Sequence, residues 1–187
     1  MSSELPPPSR WEKISQRSQL TTPVFSVLGA RYRHAARSVE REFVVIDAPD
    51  WVNVIALTPD DRIVLVRQFR YGIDEFSLET PGGVIERGED PVSAGLRELR
   101  EETGYTGAPA KLLGCVHPNP AIQANRCHFV FVEDAVKSHE LAWDADEEIQ
   151  VTTRPTAEVL GLAKSGGIVH SLVLNALMLF EAQRSRR

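Results

Sequence analysis

Short apolar runs separated by turn signals dominate the chain, and helical periodicity appears in three blocks, one among them and two at the end. Residues 51–57 (WVNVIAL) read as an apolar strand, and Pro59-Asp60-Asp61 as a turn. Residues 62–69 then form the second arm of a hairpin, with Ile63, Val64, Leu65 and Val66 as its buried part. Residues 76–79 give another short strand, broken by Pro81-Gly82-Gly83. A helix starts at Asp90-Pro91, since Asp caps and Pro suits the first turn. It runs to about Thr103, turns Val92, Leu96 and Leu99 to the core, and stops at Gly104. Residues 111–116 and 127–133 read as strands joined by a polar, Pro-containing loop, and residues 134–146 as an acidic irregular stretch. Residues 148–153 form a last strand. Thr156 caps a short helix to Lys164, which Ser165-Gly166-Gly167 ends, and an apolar helix covers residue 168 to about 183.

Upstream, residues 22–28 and 43–46 carry the β-branched and aromatic residues of short strands. His34 and the arginines at 31, 33, 37 and 41 lie there; they read as a polar strand face and turn, with a phosphate-contacting patch as the sharper alternative. The expected organisation is a disordered Pro- and Ser-rich tail (1–10), a small β appendage (11–50) and a main domain (51–187). Strands around a central helix, with a second long helix after them, predict an α/β (α+β) sandwich with helices on both faces of a mixed sheet.

The net charge of −5 argues against a general nucleic-acid binder but leaves a nucleotide substrate open, because a metal can supply positive charge locally. Cys115 and Cys127 have no metal-ligand spacing and read as reduced thiols. No apolar run reaches membrane-spanning length, and MSSELPPPSR lacks the apolar core of a signal peptide; a cytoplasmic protein without a membrane partner is expected.

Chemistry concentrates on the first helix. Glu98, Glu101 and Glu102 fall at i, i+3 and i+4 and so share one face. Three like charges there cost stability unless something neutralises them. A hard divalent cation does so, since Mg²⁺ prefers carboxylate oxygens, keeps several waters and binds well beside phosphates. The glycines at 82 and 83 let the backbone approach an ion or a phosphate closely.

The whole stretch reads G-x5-E-x7-R-E-U-x-E-E-x-G-U, with U a bulky apolar residue. Gly83, Glu89, Arg97, Glu98, Leu99, Glu101, Glu102 and Gly104 match it, and Tyr105 takes the last apolar slot. This resembles the Nudix box of the Nudix hydrolase superfamily. The resemblance implies an α/β/α sandwich and Mg²⁺-dependent hydrolysis (Mn²⁺ being the alternative) of a nucleoside diphosphate linked to another group. Glu98 and Glu102 would be the main metal ligands, with Glu101 in the cluster and a backbone carbonyl at Gly82 or a neighbour. Arg97 and Glu89 are assigned to holding loop and helix together by an ion pair, and Gly83 and Gly104 to shaping the turns.

Flanking residues resemble the ADP-ribose and nucleotide-sugar branch. These are Gln68-Phe69-Arg70, Glu79-Thr80-Pro81-Gly82-Gly83, and Pro120, 16 residues after Gly104. Arg70 and Glu79 would then contact substrate or orient ligands. The branch takes its general base from a later loop, which here means Glu147, preferred over Glu148. The β appendage resembles the one through which such enzymes pair as homodimers. Trp51 or Phe25 stacking on a base is the alternative to core packing for either. Where the branch carries Pro-Gly and then a glutamate, this chain has Pro120-Ala121 and, about where the carboxylate would stand, Asn125. A nucleotide-sensing module without catalysis and an enzyme acting on nucleoside triphosphates are the competing readings.

Overall fold

The computed structural model describes residues 7–143 and 148–185. Two compact units emerge: residues up to Pro49 with Asn119–Asn125, and Asp50–Pro118 with Arg126 onward.

The first unit is an antiparallel sheet of β1 (Trp11–Thr21), β2 (Ser26–His34) and β3 (Val39–Asp47), in that order. These strands exceed the two short ones expected. The pattern hides β1 because WEKISQRSQLT is polar and every residue after Trp11 is exposed, so no period-2 signal arises. Cross-strand pairing holds it instead: the Trp11 ring meets His34 and Phe43 edge-on, with centroids 4.9 and 5.5 Å apart. Arg31 and Arg33 each reach Glu40 at 2.9 Å, so both basic side chains are paired within the sheet. The Asn119–Asn125 loop joins β3 through Ile46 N–H to Ile122 O (2.7 Å) and Ala124 N–H to Ile46 O (3.0 Å).

The second unit holds β4 (Trp51–Ala56), β5 (Arg62–Arg70), β6 (Glu75–Glu79), β7 (Gly82–Val84), α1 (Pro91–Thr103), β8 (Tyr105–Thr106), β9 (Ala110–Val116), β10 (Cys127–Val132), β11 (Val136–Lys137), β12 (Gln150–Pro155), α2 (Thr156–Ser165) and α3 (Ser171–Arg184). A mixed sheet runs β7-β4-β10-β9, with β4 and β10 parallel; β12-β5-β6 is antiparallel, and β8 pairs with β11. Strands β4, β5 and β10 are apolar on both faces, as doubly covered strands are. Ile55, Ile63, Leu65, Phe129 and Phe131 pack under α2 and α3, against Val159, Leu172, Val173, Leu177 and Phe180. The alternate residues Val52, Val54, Val64, Val130 and Val132 pack against Ala94 and Leu99 of α1. The result is the expected α/β/α sandwich.

Three local expectations change. Strands β4 and β5 are not a hairpin: a single bridge, Leu57 to Ile63, links them, and each enters a different sheet. The hairpin is β5–β6. The expected break at Pro81-Gly82-Gly83 does end β6 at Glu79, and Gly82 and Gly83 then pair with Asn53 and Val52 as part of β7. Thr156 does not cap α2; its hydroxyl donates to Asp61, 3.1 Å from both the carbonyl oxygen and Oδ1, and Pro155 holds the cap position. The last helix starts at Ser171, with His170 as its cap. Cys115 and Cys127 are free thiols. No helix among the described residues is long and apolar enough to cross a membrane.

Candidate active site

Helix α1 sets the site, and its ends are written locally. The Asp90 carboxylate accepts from the N–H groups of Val92 and Ser93, both at 3.1 Å, and Pro91 occupies the first turn. Gly104, at φ 72°, donates its N–H to Arg100 O at 2.8 Å. With Leu99 fully buried under the sheet, 3.6-residue periodicity turns Glu98, Glu101 and Glu102 toward β7. Glu102 is 4% exposed, and its Oε2 accepts the Gly82 N–H at 2.9 Å. The carboxylate of Glu98 lies so close to Gly83 that a Cβ there would overlap it. Glycine at 83 thus leaves room for the Glu98 carboxylate rather than serving a left-handed φ.

Arg97 ties this arrangement together. Its Nε and Nη2 bond Glu89 at 3.0 Å each, Nη2 also bonds Val84 O at 3.0 Å, and Nη1 reaches Glu98 (2.9 Å) and Glu101 (3.2 Å). The Arg97 pKa is raised above its ordinary value, first by the Glu89 hydrogen bonds, with burial opposing and Glu98 and Glu101 adding. The Glu89 carboxyl is lowered by the same pair, against burial. The ion pair expected from the sequence is present, and the guanidinium also offsets the crowding of like charges on α1.

A cavity of about 290 Å³ opens here, lined by Gln68, Arg70, Gly82, Gly83, Val84, Arg97, Glu98, Glu101, Glu102 and Ala142. Arg70 comes from β5 and is clamped by Glu79 of β6: Nε to Oε1 at 2.8 Å and Nη2 to Oε2 at 2.6 Å. Glu79 is 1% exposed. Burial alone would push its carboxyl up; hydrogen bonds and charge from Arg70, with His170 adding, bring it below its ordinary value. A lowered folded-state pKa contributes stability that is present above the unfolded value and lost as pH falls through the folded one. Thermal melts of the wild type and Glu79→Gln between pH 7 and pH 3 are expected to show a stability gap at neutral pH that closes on acidification.

The structure thus gathers Gly82, Gly83, Arg70, Arg97, Glu98, Glu101 and Glu102 around one cavity. Trp51 begins β4 and packs against the α3 layer, which favours the core role weighed for it. Pro120 and Asn125 belong to the first unit, where Asn125 is buried and donates Nδ2–H to Pro49 O at 3.1 Å. Glu148 is exposed just before β12, and Glu147 lies outside the described residues. Gln68 was not among the expected site residues; its i, i+2 spacing from Arg70 on one strand was the available signal. Trp143, whose indole N–H donates to Glu102 O at 2.8 Å, carried no such signal.

The donor set fits a hard divalent cation. Among the described residues no three His, Cys, Asp or Glu side chains form a preformed metal cage. Mg²⁺ does not need one: it binds through one or two carboxylates, waters and substrate phosphates. A carboxylate face beside a glycine strand, with an arginine in the same cavity lining, offers those oxygens.

Fold and site define an α/β/α protein with an acid-lined cavity built around one capped helix. Residues 49–170 match the NUDIX domain model, and the chain belongs to that family: it is a Nudix hydrolase. It is 28% identical over 142 residues to an ADP-ribose pyrophosphatase of Bacillus subtilis (strain 168), covering 75% of this chain and 77% of the relative. It is 33% identical over 132 residues to an ADP-sugar pyrophosphatase of Mus musculus, covering 70% of this chain and 59% of the relative. A crystal structure of an ADP compounds hydrolase superposes with a TM-score of 0.84 at 20% identity, covering 96% of both chains, a likeness of fold.

Proposed function

We propose that this Nudix hydrolase is a Mg²⁺-dependent pyrophosphohydrolase that cleaves the diphosphate of ADP-ribose or a nucleotide sugar. The observation that carries the reading is the convergence of three α1 glutamates, the Gly82-Gly83 strand and Arg70 on one cavity. The names of the B. subtilis and mouse relatives support the substrate class. So do Gln68-Phe69-Arg70 and Glu79-Thr80-Pro81-Gly82-Gly83.

In this reading Glu98 and Glu102 would hold the cation, with Glu101 beside them and the Gly82 carbonyl as a further oxygen. A bound divalent cation offsets the charge of a diphosphate and activates water. The protein's own part is positioning. Glu79 fixes the Arg70 guanidinium so that it presents N–H donors to an anionic oxygen without searching rotamers. Arg97 neutralises the acidic face before a cation arrives, and its bonds to Glu89 and Val84 O keep the β7–α1 loop in place. Glu148 or Glu147 takes a proton from the attacking water. The β-rich first unit serves as a homodimer surface, and the protein acts in the cytoplasm on a small nucleotide.

Purified protein incubated with ADP-ribose, GDP-mannose, dinucleotides and nucleoside triphosphates, with and without Mg²⁺, tests this. Release of monophosphates from the diphosphate-linked compounds only when Mg²⁺ is present is the expected result. Binding without turnover would replace it with a sensing module, and turnover of triphosphates alone with a different Nudix substrate class.

A further inference from the structure

Glu79 is a buried carboxylate with more than one neighbour. Arg70 occupies one edge of it through two hydrogen bonds, of 2.8 and 2.6 Å. From the start of α3, His170 brings Nε2 within 4.0 Å of the same Oε2 that accepts from Arg70 Nη2. The imidazole is held there by its other nitrogen. Nδ1 accepts the N–H of Leu172 at 3.3 Å, which makes His170 the cap of α3. A ring that accepts through Nδ1 carries its proton on Nε2 in the neutral form. The cap therefore turns an N–H toward Glu79.

Capping alone explains half of this arrangement. Ser, Thr, Asp and Asn are the preferred caps, and any of them would satisfy the Leu172 N–H from a shorter side chain. None has a second group placed to face Glu79 while capping. Histidine does both: it caps α3 and sets its second nitrogen 4.0 Å from the carboxylate that orients the cavity arginine.

We propose that His170 is a positioning residue for the substrate arginine, acting through Glu79 on Arg70. The proposal rests on the reading that the cavity takes a nucleoside diphosphate compound. A carboxylate has about four lone-pair directions, and Arg70 uses two of them. At 4.0 Å the imidazole makes no hydrogen bond to Oε2; it acts on the carboxylate through space, as positive charge density facing the oxygen that accepts from Arg70 Nη2, and so favours the orientation Arg70 holds. With Glu79 so held, Arg70 meets the ligand in a single orientation. Without it, Arg70 still faces the cavity but samples several orientations, and the ligand is bound less well.

The test is His170→Asn, which keeps a capping oxygen and removes the imidazole N–H. The melting temperature is expected to stay close to that of the wild type. KM for ADP-ribose is expected to rise roughly fivefold or more with kcat within about twofold, the pattern of lost uniform binding. In an Arg70→Ala background the same substitution is expected to add nothing further, because the two act in one chain of contacts. Unchanged KM, or an equal KM effect with and without Arg70, overturns the proposal. A fall in kcat that tracks a lowered melting temperature also overturns it, since that is the signature of a merely structural cap. Should the wild type turn over none of the diphosphates, the functional reading fails. The crystal structure of His170→Asn then decides: Arg70 displaced from Glu79 supports the positioning role, and an intact two-bond clamp refutes it.

Discussion

Replacing Glu98 or Glu102 with glutamine is expected to lower kcat by roughly 10²–10³-fold and to leave the fold intact. Glutamine keeps the length and one acceptor oxygen of glutamate but loses the charge. At position 102 that oxygen still takes the Gly82 N–H, now 2.9 Å from Oε2, so β7 stays on α1. At position 98 it still accepts from Arg97 Nη1. What is lost is an anionic ligand for a hard cation. Cation stabilisation of phosphate charge is worth several kcal/mol, and each 1.36 kcal/mol is tenfold in rate, which places the loss at roughly 10²–10³-fold. Steady-state rates with a Mg²⁺ titration, beside thermal melts, measure both parts. Turnover within tenfold of wild type in both variants would remove the metal-helix mechanism.

The second large effect is expected from Gly82→Ala. An alanine methyl at 82 would overlap the Val52 carbonyl oxygen and lie 2.8 Å from Asn53 Nδ2 and 2.9 Å from Asn53 Cα. Two of those three atoms are backbone of a central strand, so the methyl has nowhere to go unless β7 leaves β4. Overpacking of this kind costs about 1–3 kcal/mol, and more where backbone must move. The displaced strand would also carry its N–H away from Glu102. A melting temperature several degrees lower, together with nearly complete loss of turnover, is expected. Gly83→Ala makes the informative contrast. Its methyl would meet the Glu98 carboxylate, the end of a flexible side chain, so a smaller loss of stability accompanies a comparable loss of rate. Equal melting temperatures for Gly82→Ala and wild type would show that the β4–β7 approach is looser than described.

Helix α1 was legible in the chain almost residue for residue. Its Asp cap, its first-turn proline, its glycine stop and its glutamate face all follow from relations within eight or so residues. The Arg97–Glu89 pair is equally local, eight residues apart across a turn. Strand β1 was not legible, because a ladder of backbone bonds and edge aromatics holds a polar strand without leaving an alternation to read. The expected β4–β5 hairpin failed for a related reason. A turn between two apolar runs says that the chain reverses, but not which sheet each run joins, and strands apolar on both faces can pair with several partners.

The sequence by itself determined the family, the capped helix and the carboxylate face, because caps and helical periodicity act between near neighbours whose spacing is written in the chain. Only the tertiary structure decided that Gly82 and Gly83 lie within a strand against that face. It alone clamped the half-exposed Arg70 onto the buried Glu79 and brought His170, 91 residues from Glu79, to 4.0 Å from the same carboxylate oxygen. Such contacts are set by sheet register and by the layer each element covers, and those depend on how every other apolar face is buried.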